Sequence, residues 1–233
     1  HGILPYLVIL GLLSILLIFQ SDTDTLVVIA GTGMAMLFAS GARIRDLLLL
    51  VLSLLILVGS LAYSRPYIRQ RIATFINPSI DAQGSGYQIQ QSLIAIGSGQ
   101  ISGRGYGQSV QKFNYLPEPI GDSIFAVAAE EFGFIGSVII ILMFISFVVR
   151  GFRISIRAPD MWSGLTTIGI VILIVTESFM NISSMVGILP LSGMPLLFIS
   201  HGGTALIVTL LAVGIVANIS KFQKMISKAS AFC

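Results

Sequence analysis

Five charged side chains crowd one stretch of an otherwise apolar chain. Lys112, Glu118, Asp122, Glu130 and Glu131 fall within KFNYLPEPIGDSIFAVAAEEFGFIG, Lys112 to Gly136, around Pro117 and Pro119. Charges this dense between apolar segments cost free energy unless they sit in water or take part in chemistry. Asp122 is the first candidate. An apolar helical pattern follows it, so its plain role is a helix N-cap. A helix N-terminus stabilises the carboxylate and weakens it as a base. To work as a base, Asp122 needs burial or a neighbouring carboxylate that restores its basicity. The two roles do not exclude each other.

The other charges divide between plain and chemical readings. Glu130 and Glu131 close the same short helix, at the dipole end that disfavours anions. They read as one solvated carboxylate and one paired with an Arg or a backbone amide, and adjacent helical residues do not share a face. Glu118, between two prolines, reads as extended, either a surface charge or a carboxylate on a rigid rail. Arg65, Arg69, Arg71, Arg104 and Lys112 could line a cationic cavity for an anionic substrate such as a lipid phosphate; Arg65 and Arg69, next to the third apolar segment, better suit lipid headgroups. The glycines of GSGQISGRGYG, Gly97–Gly107, read as a turn or as phosphate-facing amides, without a Walker pattern. Glu177 lies near the end of an apolar segment, where acids pair or mark a pathway, and Asn181 follows one turn later. Ser200–His201 has no nucleophile-elbow sequence and no triad partner.

These residues need elements to hold them. The chain has 233 residues, 55% hydrophobic and 10% charged, against about 25% charged in a soluble domain. That composition specifies an integral membrane protein. The net charge of +3 and the scatter of basic residues give no nucleic-acid footprint. The single Cys233 excludes a disulfide framework, and the two isolated His residues give no metal-ligand spacing. The chain opens at His1 directly on an apolar run without signal-peptide features, which reads as a piece lacking its N-terminal part.

Six apolar segments are expected to span the membrane as helices: Ile3–Phe19, Leu26–Ala39, Leu47–Tyr63, Phe134–Val149, Ser163–Phe179 and Thr204–Ile219. They are apolar all round, unlike alternating barrel strands. Arg43 and Arg45, then Arg150, Arg153 and Arg157, then Lys221, Lys224 and Lys228 fall on one face, which the positive-inside rule makes cytoplasmic. The chain thus divides into three helices over 1–63, a large extracytoplasmic segment over 64–133, and three helices with a cytoplasmic tail over 134–233. Within the large segment, Tyr87–Ile96 has helical spacing, and Asp122–Glu131 reads as a short helix entering the fourth span. GILPLSGMPLLFISHGG, Gly187–Gly203, reads as broken or re-entrant backbone around a polar cavity.

Several motifs, in order, resemble the FtsW/RodA (SEDS) family of bacterial cell-wall synthesis. QSDTDT (Gln20–Thr25) resembles Q-P-D-x-G-T, RIATFINP (Arg71–Pro78) resembles R-I-x-x-F-x-x-P, and Gly86–Ser109 matches closely. YLPEPIGDSIFAVAAEEFGFIG (Tyr115–Gly136) is similar to Y-L-P-E-x-x-T-D-F-I-F-A-x-x-x-E-E-L-G-F-I-G, and Gly187–Gly203 to G-L-L-P-x-T-G-x-P-L-P-F-I-S-Y-G-G. Departures are Gly121 for Thr, Ser123 for Phe, Ser21 for Pro, Asp24 for Gly and His201 for Tyr.

The resemblance implies an all-α polytopic membrane protein whose six helices correspond to helices five to ten of a ten-helix fold. It implies a peptidoglycan glycosyltransferase, closer to the division (FtsW-like) branch than to elongation. The enzyme would polymerise lipid II into β-1,4 glycan strands and release undecaprenyl diphosphate. Asp122 falls on the family's essential aspartate, as general base. Asp22, Arg71, Gln88, Lys112 and Glu118 fall on motif positions that would line the substrate cavity. The diphosphate calls for cations, either Arg and Lys side chains or a divalent Mg or Mn, so no cofactor is fixed. The implied partners are a class B penicillin-binding transpeptidase and membrane proteins of the divisome or elongasome. The implied location is the bacterial cytoplasmic membrane. A transporter flipping a lipid-linked precursor would use the same broken helices and cationic cavity. A non-catalytic scaffold is a third reading.

Overall fold

The structure, a computed structural model, describes residues 3–81, 83–113 and 115–229, with side chains described outside 3–5 and 224–229. His1 and Cys233 lie outside the described residues, as do the side chains of Lys224 and Lys228. The described chain contains helices and no strand. Helices α1 (Ile3–Phe19), α2 (Thr23–Ala39) and α3 (Ile44–Ser64) come first, then α4 (Pro66–Ile76) and α5 (Ser85–Ser98). Helices α6 (Ile124–Ile156), α7 (Met161–Met185) and α8 (Gly203–Ala229) follow.

Helices α3, α6, α7 and α8 are long and apolar enough to cross a membrane; α1 and α2 are shorter apolar helices. Their 17 residues each make about 25 Å of helix, at the lower end of spanning length. Six apolar helices therefore stand where six apolar segments were expected. Asp22 starts α2 by accepting hydrogen bonds from the Thr25 amide (3.1 Å) and hydroxyl (2.7 Å).

The large segment holds more helix than its sequence announced. Helix α5 covers the expected Tyr87–Ile96, whereas α4 was not anticipated. Its start is nonetheless coded by Pro66 in the first turn, where the missing amide costs nothing.

Helix α6 begins at Ile124, well before the apolar run from Phe134, and breaks once. Gly133 has φ 67° and ψ −163°, outside helical geometry. The break frees backbone groups that must be satisfied, and the glycine-rich loop satisfies them. Arg104 N donates to Glu130 O and Gly105 N to Glu131 O, both at 3.0 Å. Phe134 N donates to Gln100 O at 2.8 Å and Ile135 N to Ile101 O at 3.2 Å. The approach is close enough to require glycine: a Cβ on Gly103, itself at φ +79°, would lie 2.1 Å from Glu131 O. The loop is a built backbone patch over a helix break.

The chain forms two compact units. One comprises the described residues through Val58, Ile145–Thr176 and those from Leu206 onward; the other comprises Gly59–Phe144 and Glu177–Ala205. The second unit has a core of Phe125, Phe144, Ile182, Met185 and Leu196. A smaller cluster of Ala95, Leu116, Ala126 and Val127 seats α5 against the start of α6.

Candidate active site

The residues just before α6 form a tight turn. Gly121 N and Ser123 N both donate to Glu118 O, at 3.1 and 3.2 Å. Glu118 itself, the first residue of that turn, stands in the left-handed region at φ 45°. The expected extended Glu118 is therefore corrected. Its following proline disfavours the right-handed helical region but leaves this one open. Such a backbone costs about 1–3 kcal/mol at a non-glycine residue and persists where surroundings over-determine it.

Ser123, not Asp122, caps α6. Its carbonyl accepts from Ala126 N and Val127 N, and its buried hydroxyl donates to Pro117 O (2.9 Å) and accepts from Gln88 Nε2 (3.0 Å). Gln88, on α5, thus reaches the cap. Asp122 stands one residue outside the helix. It is half-buried, and among the described residues none donates a hydrogen bond to its carboxylate.

That environment raises the Asp122 pKa above its ordinary value. Burial is the largest cause, the negative charge of Glu118 adds to it, and the positive charge of Arg71 works against both. The sequence required burial or a carboxylate neighbour for Asp122 to be a base; both are present. Arg71, on α4, lies with its guanidinium 4.5 Å from the centre of the Tyr67 ring, a cation–π contact that limits where it can swing.

The segment after α7 meets the turn. Residues 186–202 are not helical, as the prolines and glycines of Gly187–Gly203 anticipated. A Cβ on Gly193 would lie 3.5 Å from Asp122 Oδ2. Asn181 Nδ2 donates to Asp122 O and Met194 O, both at 2.7 Å. Ser200 Oγ donates to Gly121 O at 2.8 Å, and His201 N to Ile120 O at 2.8 Å. Asn181 and Ser200 were visible in the sequence without these roles, because their partners lie 59 and 79 residues away.

The Glu130–Glu131 pair is elsewhere engaged, and neither is solvated, contrary to the expectation for one of them. Glu130 is 0% exposed. It accepts from Ser109 Oγ (2.6 Å), Val110 N and Gln111 N (both 3.2 Å), with Arg104 Nε at 3.5 Å. Glu131 accepts from Lys112 Nζ at 2.7 Å. The amides of the glycine-rich loop therefore serve the protein's own backbone and carboxylates.

Arg71, Gln88, Lys112, Glu118 and Asp122 all belong to the second compact unit. Within it Asp122 feels Glu118 and Arg71, Gln88 holds Ser123, and Lys112 holds Glu131. Asp22 belongs to the first unit, as the cap of α2. Among the described residues no group of three or more His, Cys, Asp and Glu gathers to hold a metal. The arrangement can accept a proton at Asp122 beside a cation.

A family model described as "Cell cycle protein", FtsW/RodA/SpoVE, matches residues 1–225. Stage V sporulation protein E of Bacillus subtilis is 41% identical over 224 residues, covering 96% of this chain and 61% of that one. A probable peptidoglycan glycosyltransferase FtsW of Geobacter metallireducens is 40% identical over 223 residues, covering 96% and 60%. The chain thus spans about three-fifths of the length of these relatives. A solved structure concerned with the coordination of polymerization and crosslinking by a peptidoglycan synthase complex contains a chain similar in fold. Its TM-score is 0.71 at 24% identity, covering 93% of this chain and 60% of that one. With matched motifs, helices and family model in agreement, the chain belongs to the FtsW/RodA/SpoVE family of cell cycle proteins.

Proposed function

We propose that this chain carries the catalytic base of a peptidoglycan glycosyltransferase that extends glycan strands from lipid II. The observation that carries the reading is the state of Asp122: half-buried, raised in pKa, with no donor on its carboxylate among the described residues. A raised pKa makes a carboxylate a better proton acceptor. Asp122 takes the proton of the acceptor GlcNAc 4-hydroxyl as that oxygen attacks the anomeric carbon of the donor MurNAc. The new C–O bond forms as the bond from that carbon to the diphosphate breaks, and undecaprenyl diphosphate departs with the bonding pair. Such a leaving group needs positive charge more than a proton, and Arg71 is the cation whose field reaches Asp122.

The remaining assignments follow the contacts. Gln88 fixes the helix cap, Glu118 tunes Asp122, and Lys112 braces Glu131. A divalent cation enters as the counter-ion of the substrate diphosphate. Such an ion is held mainly by phosphate oxygens and water, which leaves the Asp122 carboxylate free to take the proton. The 64–133 segment faces the extracytoplasmic side and the C-terminus the cytoplasm. A class B penicillin-binding transpeptidase is the partner, a reading supported by the similarity to a chain of a peptidoglycan synthase complex.

The test uses the complete protein in vesicles with labelled lipid II. Glycan polymer is the expected product. Transbilayer movement of lipid II without polymer contradicts the glycosyltransferase and identifies a transporter.

A further inference from the structure

Three successive main-chain carbonyls of the turn that carries Asp122 are taken by Asn181 on α7 and by Ser200 and His201 of the non-helical segment that follows it. Ile120 O accepts from His201 N, Gly121 O from Ser200 Oγ, and Asp122 O from Asn181 Nδ2. We propose that Ser200 and Asn181 are positioning residues of the glycosyl-transfer reaction: they fix the Asp122 turn against the 194–201 segment and so set where its carboxylate points. The inference rests on Asp122 being the base.

Asn181 is held for its donors. It is 0% exposed, and both its Nδ2 bonds go to carbonyls, while its Oδ1 has no partner among the described residues. A buried amide that forgoes its acceptor is an exception needing a reason; here the reason is the pair of carbonyls it bridges, Asp122 O and Met194 O. Ser200 works from both sides of its hydroxyl. Oγ accepts from Leu196 N at 2.8 Å while donating to Gly121 O, and Ser200 N donates to Leu196 O. These bonds close a turn around Phe198, whose φ of 71° puts a bulky side chain in the left-handed region. Glu118, on the facing turn, has φ 45°. Two non-glycine residues in this region, one on each side of the carbonyl contacts, mark a junction whose geometry is imposed by its surroundings. Gly193, in the same gripping segment, faces the Asp122 carboxylate itself.

The experiment compares kcat and KM for lipid II polymerisation by the complete protein and its Ser200→Ala, Ser200→Thr, Asn181→Leu and Asp122→Asn variants. Rates are expressed per folded molecule by size-exclusion chromatography. Ser200→Ala is expected to lower kcat by roughly tenfold to a hundredfold, the cost of a base misplaced by about an ångström, with KM within about twofold of wild type. Ser200→Thr keeps the hydroxyl and restores most of kcat. Asn181→Leu lowers kcat in the same way. A merely structural role would reduce the folded fraction and leave kcat per folded molecule unchanged. Ser200→Ala at wild-type kcat beside an inactive Asp122→Asn overturns the positioning alone. An Asp122→Asn variant at wild-type kcat overturns the base assignment and this inference with it.

Discussion

Lys112 Nζ lies 2.7 Å from Glu131 Oε1, a bond that commits the single cation of the charged stretch to the helix break at Gly133. The same ammonium donates to Gly107 O at 2.9 Å, so it links the glycine-rich loop to α6. Its family motif position implies a contact with substrate; the contacts the structure gives its ammonium are with Glu131 and Gly107 O.

Replacing Lys112 with Met is therefore expected to act on stability. It strands a largely buried carboxylate, at a cost of roughly 1–3 kcal/mol for a charge-assisted bond with a partly exposed partner. Thermal unfolding in detergent should show the loss, while KM for lipid II stays near wild type. A raised KM with unchanged unfolding temperature would return Lys112 to the substrate site.

Two glycines in the loop separate steric contact from backbone conformation. Gly103 and Gly107 share φ +79°, but a Cβ on Gly107 meets nothing within 4 Å, whereas on Gly103 it would strike Glu131 O. Gly107→Ala should cost only the left-handed strain, about 1 kcal/mol. Gly103→Ala should cost that plus displacement of the backbone it touches, roughly 2–4 kcal/mol in all. Equal unfolding temperatures for the two variants would show that the loop does not lie against the break.

The pH profile should follow the charges around Asp122. As a base it works ionised, so activity falls as pH drops through its raised pKa. Glu118→Gln removes a charge that raises that pKa, and the acid limb should move to lower pH. Arg71→Gln removes a charge that lowers it, and the limb should move to higher pH. A profile that moves the same way in both variants contradicts the assignment of Asp122 as the titrating group.

The parts legible in sequence were those that depend on local pattern. Apolar runs gave the six helices, and prolines and glycines gave the non-helical 186–202 segment. The need for burial or a carboxylate neighbour at Asp122 followed from helix electrostatics. What escaped depends on distant pairing. Of Glu130 and Glu131, the sequence has one paired with an Arg or a backbone amide, as Glu130 is, and the other solvated, whereas Glu131 is buried against Lys112. Asn181 and Ser200 look like ordinary polar residues until the turn before α6 meets them. The flanking prolines of Glu118 speak for extended backbone, while the structure puts it at φ 45° at the head of the turn closed by Gly121 and Ser123.

The central claim is tested most directly by the rate of glycan strand formation from lipid II by the complete protein and its Asp122→Asn variant, with unfolding temperatures measured alongside. Because the folded-state pKa of Asp122 is raised, its stability contribution is greatest below the ordinary carboxylate pKa and is lost as pH rises through the raised value. Above that value the ionised group burdens the fold. The account predicts a rate lowered by roughly 10²–10⁴-fold, the usual worth of a general base, in a protein as stable as wild type or more so. Strand formation by Asp122→Asn at the wild-type rate would contradict it.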